Sequence, residues 1–157
     1  MSTFYVDGQS IGNENPKLPR RARIAIAYRP DDSPRYSTRI ITEEIGDRTN
    51  NEAEYLALLR LLKLLAVHVK AVPSRTTASQ GIWIYSDSEV MVNQLNGDYK
   101  VKEDRLRKLW DEAKELVKDI GTVRLQKIPR EENLAGLWLE GKLQGKEMAP
   151  EEFLSGL

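Results

Sequence analysis

The sequence predicts an α/β domain in which a mixed sheet is flanked by helices. Three observations carry that expectation. Short β-prone runs open the chain, a Leu-rich stretch and an amphipathic stretch with helical period follow, and Gly, Pro and Asn punctuate the joins. Residues 4–6 (Phe-Tyr-Val) read as a strand that stops at a turn, Asp7-Gly8, and the polar, Asn- and Pro-containing residues 9–21 read as a loop. Residues 22–28 alternate, with Ile24, Ile26 and Tyr28 on one face, and residues 36–45 form a third run of strand character; together the three suggest an antiparallel meander. Thr49-Asn50-Asn51 supplies helix-capping side chains, and Glu52 and Glu54 suit the positive end of the helix dipole. A long buried helix then runs towards Pro73. Residues 81–86 are an apolar run ending at Asp87, consistent with a buried strand that places Trp83 in the core, and residues 88–95 look helical until Asn96-Gly97. In residues 103–118, Leu106, Leu109, Trp110, Ala113, Leu116 and Val117 repeat at helical spacing. Residues 122–128 form a last strand ended by Pro129, and residues 133–143 a final helix. The expected division is a catalytic domain over residues 1–144 and a loosely held C-terminal tail over 145–157.

Composition narrows the function classes. At 157 residues the prior is one domain, able to bury roughly 70% of the surface its unfolded chain exposes. There is no cysteine and one histidine, His68, which excludes disulfide scaffolds and zinc sites built on thiolate or several imidazoles. The longest apolar stretch, residues 56–69, is broken by Arg60, Lys63 and His68 and cannot span a bilayer. No signal-peptide pattern is visible at the N-terminus, and the expectation is a cytoplasmic monomer without membrane contact. The 24 basic and 24 acidic residues cancel, so recognition of a polyanion rests on local patterning rather than on a global field.

Three acids stand where strands end or a helix begins: Asp7, Glu54 and Asp87. Ligands gather at strand ends in α/β sheets, and oxygen donors without His or Cys favour a hard cation such as Mg²⁺ or Mn²⁺. Acids at element ends also serve as caps, so spacing alone leaves both roles open.

Local motifs add specificity. In order along the chain stand Asp7-Gly8-Gln9-Ser10 with Gly12-Asn13, Thr49-Asn50-Asn51-Glu52-Ala53-Glu54, Ser86-Asp87-Ser88, Gly97-Asp98-Tyr99-Lys100-Val101-Lys102, and Pro129-Arg130-Glu131-Glu132-Asn133. Together they resemble the type 1 ribonuclease H family over residues 4 to about 140. The resemblance implies a ribonuclease H-like fold, with a five-stranded mixed sheet in order 3-2-1-4-5, and two-metal hydrolysis of the RNA strand of RNA/DNA hybrids by Mg²⁺ or Mn²⁺. It matches Asp7, Glu54 and Asp87 to the metal-ligating carboxylates. Asn50 and Asn51 match residues that contact bases and 2′-OH groups, and Gly8, Gln9 and Asn13 match a loop that touches the RNA strand, Gly8 by close backbone approach. Arg48 and Thr49 resemble a phosphate-binding pocket. Lys100 and Lys102, with Arg105, Arg107 and Lys108, resemble the region that meets the DNA strand, a cluster that reads equally as a solvated helix face.

The fourth position departs from the family. Relatives place an Asp at the start of the last helix, whereas four residues on from Asn133 this chain has Leu137. Asn133 is preferred as the replacement because it begins the helix and its amide oxygen can ligate a hard cation; it would serve equally as a helix cap. Glu140, one turn beyond Leu137, is the alternative. The histidine that relatives often carry before this helix is missing, and Arg130 or Glu131 could stand in its place. A non-catalytic module binding hybrid or double-stranded RNA, and a structure-specific DNA nuclease, are the rival functions on the same fold.

Overall fold

The computed structural model describes residues 2–12, 17–71 and 81–157. Six strands, β1 (Ser2–Ile11), β2 (Arg21–Tyr28), β3 (Arg39–Gly46), β4 (Ile82–Ser86), β5 (Val123–Lys127) and β6 (Lys146–Glu147), form one sheet in the order β5-β4-β1-β2-β3-β6. The expected 3-2-1-4-5 order is there, with a sixth strand added outside β3. β1, β2 and β3 pair antiparallel, while β4 runs parallel to both β1 and β5. Among the described residues five α-helices accompany the sheet: α1 (Asn50–Ala71), α2 (Glu89–Leu95), α3 (Asp104–Ile120), α4 (Leu134–Leu139) and α5 (Pro150–Ser155). Pro73 and Asn13 lie outside the described residues. None of the helices described is long and apolar enough to cross a membrane.

The alternation of the strands decides which helix goes where. Phe4, Val6, Ile24, Ile26 and Ile41 face α1 and α3 and meet Leu58, Leu61, Leu62, Leu65, Leu106 and Ala113 in the main core. On the opposite face the apolar side chains of β2 are Ala25 and Ala27, with Arg23 beside them donating from Nη2 to the Leu139 carbonyl at 2.6 Å. Those small side chains let α4 settle on the sheet through Leu134, Ala135 and Leu139, with Ile40 of β3 closing the cluster. α1 starts with a reciprocal capping box. The Thr49 hydroxyl accepts from the Glu52 N–H and the Glu52 carboxylate accepts from the Thr49 N–H, both at 3.1 Å.

Three expectations are corrected. Asp7-Gly8 is not a turn, because the chain past Asp7 keeps an antiparallel partner, from Gly8↔Ile24 out to Ile11↔Arg21. Gly8 serves close packing inside the protein: a Cβ there would overlap the carbonyl group of Ala53 in the first turn of α1. Trp83 is half-exposed. In β4 it is Ile82, Ile84 and Ser86 that point into the core, while Trp83 and Tyr85 share the other face, with the Arg124 guanidinium 5.3 Å from the Trp83 ring centre.

The third correction concerns the segment after Gly145, which is bound rather than loose. Lys146 and Glu147 pair with Arg39 and Ile40, Pro150 opens α5, and Phe153 is fully buried with ring centres 6.2 Å from both Phe4 and Tyr28. The thirteen residues 145–157 hold a single aromatic side chain and show no regular apolar period, so the anchor is invisible until its pocket is seen. Truncating it should be costly: Phe153→Ala is expected to lose about 3–5 kcal/mol of stability, whereas Val67→Ala, on the exposed side of α1, should stay within about 0.5 kcal/mol. Denaturant midpoints of the two variants measure the contrast.

Candidate active site

Backbone register brings the three acids together. The parallel ladder between β1 and β4 pairs Phe4 with Ile84 and Tyr5 with Tyr85, and continuing that register sets Asp7 beside Asp87. This is the end of the parallel ladder, where β1 has β2 antiparallel on its other side, the kind of switch point at which α/β sheets bind ligands. Gly8 carries the first turn of α1 across the sheet and delivers Glu54 next to Asp7. Ser88 caps α2, its hydroxyl accepting from the Met91 N–H at 3.2 Å, and so holds the chain just after Asp87.

The electrostatics record the crowding. Burial pushes Asp7 up to about 8, the charges of Asp87 and Glu54 add to the rise, and Arg130 opposes it. Burial likewise lifts Glu54 to about 7, with the Ser88 hydroxyl and Arg130 opposing and Asp87 contributing. One Glu54 oxygen, Oε2, is buried without a hydrogen-bond partner. No group of three or more acidic side chains among the described residues is arranged as a ready-made ion cage. The donor set still fits one hard cation: three carboxylates, all-oxygen, with an orphaned buried oxygen and repulsion that a cation would relieve.

The start of α4 closes the site from the other side. Asn133 is fully buried; its Nδ2 donates to the Val6 carbonyl at 3.0 Å, and its Oδ1 accepts from the N–H groups of Ala135 (3.2 Å) and Gly136 (3.5 Å). These bonds describe a helix cap that also ties α4 to β1 one residue before Asp7. Gly136 lies against Asp7, where an added Cβ would sit 3.1 Å from Oδ2. Leu137 packs with the alanine cluster instead of facing the acids as a ligand. Glu140 is committed to two cations: Oε1 accepts from Arg130 Nε and Nη2 at 2.7 and 2.6 Å, and Oε2 pairs with Lys142 at 3.1 Å. The remaining Arg130 nitrogen, Nη1, stands 4.0 Å from Asp87 Oδ2. The Arg130–Glu140 pair is the feature that sequence reasoning missed. Its signal was present, since the two residues flank the α4 turn, but only the fold shows that they meet.

The candidate substrate residues divide by place. Asn50 accepts from the Ser10 N–H at 2.8 Å, joining α1 to β1, and Asn51 beside it is exposed. Gln9 is half-buried, with its side-chain oxygen unpaired. The Arg48 guanidinium rests 3.5 Å from Glu52, next to the Thr49 hydroxyl. Lys100 and Lys102 are exposed on the loop between α2 and α3, where with Tyr99, Arg107 and Trp110 they line a cavity of about 340 Å³.

Known proteins share this architecture. A family model described as reverse transcriptase-like matches residues 21–139. The chain is similar to LC11-RNase H1, isolated from compost by a metagenomic approach and solved in complex with an RNA/DNA hybrid. The two are 27% identical over 85% of this chain and 88% of that one, with a TM-score of 0.69. It is also similar to RNase H1 from the halophilic archaeon Halobacterium salinarum, at 26% identity over 89% of this chain and 98% of that one, with a TM-score of 0.64. The N-terminal RNase H domain of a Mycobacterium tuberculosis protein shares the fold, at 23% identity over 90% and 96% of the two chains and a TM-score of 0.60.

Two outcomes follow from this geometry. In the presence of a chelator, Asp7 and Glu54 keep protons in the folded chain up to about 8 and 7 that the unfolded chain releases near pH 4. Because the native state then binds more protons, stability falls as pH rises through that window. The melting temperature should therefore drop between about pH 4 and pH 8, less steeply in Asp7→Asn; parallel slopes would contradict it. Asn133→Asp replaces the donor to the Val6 carbonyl with an acceptor and should cost about 1–3 kcal/mol in chemical denaturation. A metal ligand at that position would instead gain cation affinity from the added charge, which calorimetric titration with Mn²⁺ would reveal.

Proposed function

The chain belongs to the type 1 ribonuclease H family, within the reverse transcriptase-like proteins, and we propose that it hydrolyses the RNA strand of RNA/DNA hybrids at Asp7, Glu54 and Asp87. The observation that carries this reading is the meeting of those three carboxylates, from β1, α1 and the end of β4, at one corner of the sheet. Mg²⁺ or Mn²⁺ held there would supply Lewis acidity and neutralise the charge that develops in phosphodiester hydrolysis. Asp7, Glu54 and Asp87 would hold such an ion, and Leu137, packed in the alanine cluster, adds no fourth carboxylate.

The protein's own groups do the rest. Asn51, exposed on the first turn of α1, and Asn50, tied to β1, present amides that both donate and accept, the chemistry suited to base edges and 2′-OH groups in a minor groove. Gln9, with a free acceptor on the strand beyond Asp7, extends that RNA-facing surface, and Asn13 is assigned to the same role on its motif alone. Arg48 and the Thr49 hydroxyl offer a charged and a neutral donor to one phosphate of the DNA strand. Lys100 and Lys102 offer further positive charge along the same strand. The apolar Leu137 where relatives carry an acid favours a second reading, a hybrid-binding module with little or no turnover.

Incubation with end-labelled RNA/DNA hybrid and with matched DNA duplex, in Mg²⁺ and in Mn²⁺, separates these. The enzyme should cut only the hybrid, leaving 5′-phosphate ends, and Asp7→Asn should lose at least about a hundredfold in rate. Hybrid bound but uncut in either metal would leave the binding module; equal cutting of DNA duplex would make the chain a DNA nuclease. Lys102→Ala should weaken binding evenly across sequences and lower the salt dependence by about one unit of slope.

A further inference from the structure

We propose that this site takes a single divalent ion and that the Arg130 guanidinium, clamped by Glu140, stands in for the second cation. The inference rests on the hybrid-nuclease reading for the identity of the phosphate that Arg130 would face. Asp7, Glu54 and Asp87 supply three negative charges, enough to balance one divalent ion with one to spare. A second ion needs a further ligand on the α4 side, and among the described residues the three candidates at the position where the family carries its fourth acid, Asn133, Leu137 and Glu140, are all otherwise engaged. Leu137 packs into the alanine cluster, both amide atoms of Asn133 are held by backbone groups, and both oxygens of Glu140 are held by Arg130 and Lys142.

A cation of the protein's own already occupies that side. Arg130 gives one edge of its guanidinium, Nε and Nη2, to Glu140, which leaves Nη1 directed at Asp87, 4.0 Å from Oδ2. Its charge is felt at Asp7 and Glu54 as well. A mobile surface arginine would not count for much, but this one is anchored at both ends. Pro129 precedes it, a single 3-10 turn, Arg130–Glu132, carries its backbone, and its carbonyl accepts from the Asn133 N–H at 3.1 Å. Asn133 in turn is bonded to Val6, next to Asp7. The side chain remains 62% exposed, so the free edge is accessible to an incoming phosphate. Guanidinium stays protonated throughout the working pH range and its forked donors match phosphate oxygens. A divalent ion placed beside it would be repelled, and a phosphate oxygen would be attracted.

Counting bound Mn²⁺ on the free chain by electron paramagnetic resonance tests the inference without relying on cleavage. The wild type should hold one ion per chain, and the double variant Arg130→Ala with Leu137→Asp should hold two. Single-turnover hybrid cleavage by Arg130→Ala at saturating Mn²⁺ should fall about a hundredfold, with partial recovery in Arg130→Lys. Thermal melting of each variant checks that the fold is intact. A wild-type count of two, or an Arg130→Ala enzyme that cuts at the wild-type rate, overturns the inference while leaving the nuclease reading in place. A count of one without any hybrid cleavage keeps the single-ion site and removes the nuclease reading.

Discussion

The contact on which the rest depends is the crossing of the first turn of α1 over Gly8 of β1. The Ala53 carbonyl occupies the space where any other residue would carry its Cβ. That contact sets the depth of α1 against the sheet, and with it the position of the Leu-rich face that fills the core. It also sets the site, because Glu54 is the next residue and Asp7 the previous one. Asn50, a turn earlier, then reaches the Ser10 N–H and fixes the rotation of the helix about its axis. Core and site share one constraint, so the glycine cannot be exchanged without moving both.

Much of this was legible in the sequence, and the reasons are local. The alternation of residues 22–28, the leucine spacing of α1 and the helical period of residues 103–118 each report their own burial, and the helix-capping run at Thr49 contains its own explanation. What escaped were features made by distant partners. Gln9 to Ile11 look like a polar loop until β2 lies alongside, and Trp83 looks buried until α4 is seen to cover β1 and β2 instead. The candidate site divides in the same way. Asp7, Glu54 and Asp87 each sit in a readable motif, whereas the Arg130–Glu140 bond joins residues ten apart across a turn that no periodicity describes. Asn133 had two roles open to it from its residue type; only its bond to Val6, 127 positions away, distinguishes a structural anchor.

Asp7 and Glu54 oppose the fold that gathers them. Each of Asp7 and Glu54 would ionise more readily in water than where it is held, so part of the stability contributed by the leucine core is offset at this corner. The arrangement is tolerable because the surrounding backbone is over-determined: β1 is paired on both sides, α1 is locked on Gly8, and α4 is capped by a buried amide. Rigidity therefore comes from neutral packing and backbone hydrogen bonds, and the charged groups are left to chemistry.

The sixth strand carries a consequence of another kind. β3 would otherwise end the sheet with a row of free backbone donors and acceptors, the template on which extended chains pair and fibrillise. Lys146 and Glu147 take up part of that row in cis, and Phe153 holds them there. The opposite border, β5, follows a different strategy, interleaving Arg124 and Lys127 along an exposed strand so that stacking a second copy would bring like charges together. One border is masked by the chain's own backbone and the other guarded by charge. Colloidal behaviour at high concentration thus depends on a short segment far from the carboxylates, which evolution or engineering can alter without touching the chemistry.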